Sequence, residues 1–134
     1  MAIRSGSRWL LAALYAAAGV LHLVMPDPFV SIVPPWVPFP ASVVALTGLA
    51  ELAGAAGLAQ PFLPAVQRAA AWGLAAYALC VWPANVQHML IDMARPDHGL
   101  GLAYHLPRLA LQPVLIWWPL WAGKVIAWPF RSRP

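Results

Sequence analysis

Apolar residues run through this chain in four long stretches, separated by short polar or proline-rich breaks. They cover Trp9–Met25, Ala41–Ala59, Ala69–Ile91 and about 106–123, each 17 to 23 residues long. A helix rises about 1.5 Å per residue, so each stretch reaches across a hydrocarbon layer roughly 30 Å thick. The pattern predicts an all-α, integral membrane protein: four antiparallel transmembrane helices, about 9–25, 41–59, 69–91 and 106–123, forming one bundle and one domain over 1–134. The first stretch follows Arg4 and Arg8 in the manner of a signal peptide, but it continues past Ala16-Ala17-Ala18 to full length and reads as a span.

Polar residues inside these stretches are few, and their spacing is informative. Glu51 sits near the middle of the second, where a carboxylate facing lipid costs about 2.5–3.5 kcal/mol, so it is expected to face protein or a cavity. Thr47, Gly48, Gly54 and Ala55 lie three and four residues away, a strip of small side chains that lets another helix approach closely. His22 continues a stripe with Leu11, Tyr15 and Gly19 on the first span. Asn85 and His88 share a face with Tyr77 and Val81 on the third, just after Pro83, which leaves the Leu79 carbonyl without its helical donor and invites a kink. Arg108 and Gln112, four apart, share a face in the first turns of the fourth.

The breaks differ in kind. Residues 26–40 hold six prolines in fifteen positions, which predicts a stiff outer loop anchored by Trp36 at the membrane surface, or a lid over the bundle mouth. The 60–68 connector is short and turns the chain back. Residues 92–105 read as a polar loop. Its Asp92, Asp97, His98 and His105 have irregular spacing and no cysteine among them, so a solvated loop is expected there and no metal site.

Composition supports the membrane class. Of 134 residues, 62% are hydrophobic and 9% charged, with a mean hydropathy of +0.70, against about a quarter charged in a soluble domain. The net charge of +4 comes from side chains flanking the spans, so no nucleic-acid partner is expected. Six of the eight Lys and Arg residues fall in the N-terminal tail, the 60–68 connector and the C-terminal tail. Both termini are therefore expected in the cytoplasm, and the chain as a multi-pass protein of the inner membrane with its other two loops outside. In that topology His22, Glu51, Asn85, His88, Arg108 and Gln112 converge on the outer half of the bundle.

On these residues the chain resembles the DoxX family of small four-helix bacterial membrane proteins. The likeness lies in Gly19-x-x-His22 before Pro26-x-x-Phe29, the Ile32-Val33-Pro34-Pro35 run, Glu51 in its Gly-rich span, Pro83-Ala84-Asn85, and Leu106-Pro107-Arg108-Leu109-x-Leu111-Gln112. It implies a link to membrane-associated redox systems, quinone-coupled thiosulfate oxidation, or soluble antioxidant enzymes as partners. Relatives that do thiol chemistry carry cysteine pairs; this chain has Cys80 alone, which reads as a small apolar side chain.

Two readings of the polar groups stand side by side. Glu51 and Arg108 form a buried ion pair that fixes helix register, or Glu51 holds a proton for a redox or transport cycle. The wider set either packs the helices through hydrogen bonds or lines a pocket for a polar head such as a quinone ring. Haem between His22 and His88 is a less favoured arrangement. The leading expectation is a subunit without catalysis of its own, accessory to a redox partner protein, binding quinone or lipid, alone or as a homo-oligomer. A small transporter or channel subunit and a purely structural anchor are the alternatives.

Overall fold

The computed structural model describes residues 2–128, all in helices, turns or irregular segments, with no strand among them. Met1 and residues 129–134, including the Arg131 and Arg133 counted above, lie outside the described residues. Three helices are long and apolar enough to cross a membrane: α1 (Ala2–Val24), α3 (Pro40–Ala59) and α4 (Pro64–Ala94). A short α2 (Asp27–Val30) lies between the first two, and α5 (Leu102–Ala110) with α6 (Gln112–Ala122) completes the order.

The expected boundaries shift in physically interpretable ways. Helix α1 begins seven residues before the apolar run, because nothing in residues 2–8 breaks a helix. Prolines at the first positions of α3 and α4 suit helix starts, where no intrahelical donor is needed. Helix α4 runs 31 residues, about 46 Å, to the residues before Pro96, and so absorbs Asp92 from the expected loop. It also continues as helix through Pro83. The expected fourth span is two helices. Pro113 lacks an N–H and leaves the Leu109 carbonyl without its helical donor four residues on, yet Leu111 keeps right-handed helical angles (φ −71°, ψ −18°) and accepts from the Leu115 N–H at 2.9 Å.

Four helical columns close a ring: α1 packs on α3, α3 on α4, α4 on α6, and α6 on α1. The α1–α3 contact is the closest in character, with Gly19 and Gly48 facing each other. A Cβ on Gly19 would stand 2.7 Å from the Gly48 carbonyl oxygen, and one on Gly48 2.8 Å from the His22 Cβ. The apolar core comprises Leu11, Tyr15, Ala55, Leu58, Ala71, Leu74, Trp121 and Ala122. Trp121 is buried under the Arg4 guanidinium, 5.1 Å from its ring centre. Large apolar side chains such as Leu14, Leu46, Leu49, Trp72 and Leu79 face outwards.

One end of the ring gathers the start of α1, the α3–α4 turn and the end of α6. Arg4 Nη2 donates to the Ile126 carbonyl at 3.0 Å, and buried Gln67 donates from Nε2 to the Leu58 and Gln60 carbonyls at 3.2 and 3.3 Å. Those carbonyls end α3 without helical donors, so Gln67 acts as its cap. The opposite end holds residues 25–39 and 95–101.

Candidate functional site

Two cavities open within the end of the ring that carries residues 25–39. The larger, about 370 Å³, is walled by Phe29, Ile32, Val33, Trp36 and Val37, with His22, Thr47, Tyr77, Asn85 and Arg108 as its polar groups. The smaller, about 290 Å³, lies between α1, α4 and the α5–α6 column and carries Tyr15, Glu51, Tyr77, Asn85, Arg108 and Gln112. Tyr77, Val81, Asn85 and Arg108 border both. Five of the six residues singled out in the sequence therefore meet here: His22, Glu51, Asn85, Arg108 and Gln112. His88 borders neither.

Glu51 is 3% exposed and does not pair with Arg108. Its neighbours are the Tyr77 hydroxyl and His22 Nδ1, the latter 2.9 Å from Oε2. The same Nδ1 lies 2.8 Å from the Ala18 carbonyl oxygen, which can only accept, so the ring donates its Nδ1 proton to Ala18. Glu51 Oε2 then sits beside that N–H, off its axis, a buried oxygen with no hydrogen-bond partner. Phe29 stacks on the other side of the imidazole at 3.8 Å between ring centres. The expected Glu51–Arg108 pair is thus replaced by a carboxyl group held between two helices of its own side, α1 and α4.

Gln112, 2% exposed, links α6 to α4. Its Nε2 donates to the Ala78 carbonyl and its Oε1 accepts from Asn85 Nδ2 at 3.1 Å. That carbonyl neighbours Leu79 O, whose helical donor Pro83 removes, so the amide reinforces α4 where proline weakens it.

The second polar group was not legible as a cluster. His88 and Asp92 are four apart on α4, and α5 brings His105 against them. His105 Nε2 lies 2.9 Å and His88 Nε2 3.7 Å from Asp92 Oδ2. Asp92 is 5% and His105 0% exposed, which corrects the solvated-loop reading for both. The 95–101 turn makes this approach. Gly99 and Gly101 adopt φ of +50° and +73°, and a Cβ on Gly99 would overlap the Asp92 carboxyl group. The Leu100 N–H donates to Asp92 Oδ2 at 3.0 Å. Asp97 and His98 turn away to the exposed surface. There the Arg95 guanidinium, donating to both Asp97 oxygens at 3.0 and 3.1 Å, holds that carboxyl below the usual carboxylate range, with help from the Gly99 N–H. The signal available in the sequence was the i, i+4 spacing of His88 and Asp92.

Arg108 joins the two groups. Its Nη1 donates to His88 Nδ1 at 2.8 Å, and its guanidinium lies 5.7 Å from the Tyr104 ring centre. Tyr15 and Tyr77 are further site residues that the sequence offered only as members of packing faces.

The family model of a domain of unknown function, DUF8561, matches residues 11–123, a stretch that includes both polar groups. The chain belongs to that family. No curated protein and no solved structure matches it.

Proposed function

We propose that the chain is a four-span, DoxX-like membrane protein that binds an amphipathic small molecule, with a quinone as the leading candidate, as an accessory subunit of a membrane redox system. In this reading α5 and α6 together make the fourth crossing. The cation-rich end lies in the cytoplasm and the cavities lie in the outer half of the inner membrane, with residues 26–39 over them. The observation that carries the proposal is the pair of adjoining cavities, apolar in their walls and polar where they meet. Ligand pockets run roughly 300–1,000 Å³, with a few placed polar groups fixing orientation, and the larger cavity falls within that range. Arg108 carries five N–H donors, of which one serves His88, and Asn85 keeps a second amide proton beyond the one given to Gln112. Both therefore have donors for a carbonyl head group, while Phe29, Ile32, Val33 and Trp36 enclose an apolar ring or chain.

The test is mass analysis of what co-purifies in mild detergent, followed by titration with a short-chain quinone, read through quenching of tryptophan emission. Trp36 borders the larger cavity, so Trp36→Phe should remove most of the quenching, and Asn85→Leu should weaken binding while the protein stays folded. Absence of any co-purifying amphipath together with no saturable quenching would overturn the proposal.

A further inference from the structure

We propose that His88, Asp92 and His105 form a binding site for a first-row divalent metal ion of zinc-like character, beside the cavities.

The ligand atoms of the three residues lie within 4.8 Å of one another. With metal–ligand bonds of about 2.0–2.1 Å, tetrahedral ligands stand about 3.3 Å apart. The separations of 2.9 and 3.7 Å between Asp92 Oδ2 and the two Nε2 atoms bracket that spacing. Two of the ligands come from α4 at i, i+4 and the third from α5, which faces it. Two imidazoles and a carboxylate suit zinc and its neighbours better than the hard all-oxygen ions, and three protein ligands leave a fourth position for water or another ligand.

Burial shields the cluster. His105 is completely enclosed, with Nε2 turned to Asp92 Oδ2. The surroundings also fix the ligands as supporting groups of a metal site do. The Leu100 N–H orients the Asp92 carboxyl group, and the Gly99 backbone presses against it. His88, with 22% of its side chain exposed, leaves a way in.

Arg108 sets a distinctive consequence. A guanidinium only donates, so His88 Nδ1 is a lone pair and the neutral ring carries its proton on Nε2, facing Asp92. A metal on Nε2 moves that proton to Nδ1, where Arg108 cannot accept it. The ion therefore competes with Arg108 for His88 and is repelled by its charge.

The experiment uses the untagged full chain in mild detergent, titrated with Co²⁺ alone and followed by its visible ligand-field absorption, then displaced with Zn²⁺. The wild type should bind one ion. His88→Ala, which leaves the His105–Asp92 pair intact, and Asp92→Asn should each weaken binding more than about tenfold. His98→Ala should bind as the wild type. Arg108→Gln, which removes the charge and offers an oxygen to Nδ1–H, should tighten it. No Co²⁺ absorption in the wild type would overturn the proposal, as would undiminished binding in both His88→Ala and Asp92→Asn. Weaker binding in Arg108→Gln would overturn the competition between ion and guanidinium.

Discussion

Gly19 offers the sharpest test of how the helices hold the cavity groups in place. In Gly19→Ala the new Cβ would stand 2.7 Å from the Gly48 carbonyl oxygen and 2.9 Å from Leu52 Cγ, whereas ordinary contact begins at 3.4 Å. The nearer neighbour is backbone and cannot rotate away, so α1 and α3 must separate by about 0.7 Å, the shortfall between those two distances. Overpacking of this kind costs about 1–3 kcal/mol. The same separation reaches the site, because His22 and Glu51 lie three residues beyond Gly19 and Gly48. Their 2.9 Å approach would open to about 3.6 Å. Gly73→Ala is the matched control. Nothing stands within 4 Å of its added Cβ, and alanine gains up to about 1 kcal/mol over glycine inside a helix. Thermal unfolding in a single detergent, followed by helical circular dichroism, should therefore show Gly19→Ala melting below the wild type and Gly73→Ala at or above it. Equal melting of the two variants would refute the close α1–α3 contact.

Two further substitutions probe the polar groups separately. Gln112→Leu removes two hydrogen bonds and leaves the Ala78 carbonyl and Asn85 amide short of partners. Interhelical bonds in membranes average about 0.6 kcal/mol each, so a loss of about 1–2 kcal/mol is expected in the same melting assay. Glu51→Gln keeps an oxygen for the Tyr77 hydroxyl and should fold normally, while abolishing any proton uptake measured in proteoliposomes; uptake at the wild-type level would remove a proton-carrying role for Glu51.

Spacing along single helices made a large part of this site readable. Glu51 was placed inwards by its strip of small neighbours, and Gly48, Gly54 and Ala55 are indeed buried with it. His22 followed from its stripe with Leu11 and Tyr15, both buried. What spacing within one helix does not contain is the axial register between helices. Glu51 and Arg108 border the same cavity, but register gives the carboxyl group to His22 and Tyr77, and the guanidinium to His88. Asp92 and His105 were misread for a different reason. Polar residues around Pro96, Gly99 and Gly101 carry the local signature of a loop, while their burial comes from α5 folding back onto α4, a contact between elements. The break at Leu111 had a visible cause in Pro113, yet the helical angles there let α5 and α6 continue as one column.

Arg108 is the one cation bordering the cavities among the described residues, and it is also tied to the buried imidazole cluster. If its bond to His88 is a genuine constraint, the two residues cannot be independent. Residues sharing a hydrogen bond show coupling of about 0.5–3 kcal/mol, whereas distant ones add to within about 0.3–0.5 kcal/mol. His88→Ala, Arg108→Met and the double variant therefore form a decisive cycle. Each single change removes one end of a 2.8 Å contact, and the second change then has little of it left to remove. The double variant should be destabilised by at least 0.5 kcal/mol less than the sum of the single changes. Strict additivity would mean that the guanidinium spends its time elsewhere and that cavity and cluster are separate sites. Coupling would make any ion that takes His88 from Arg108 also a change in the charge presented to the cavity.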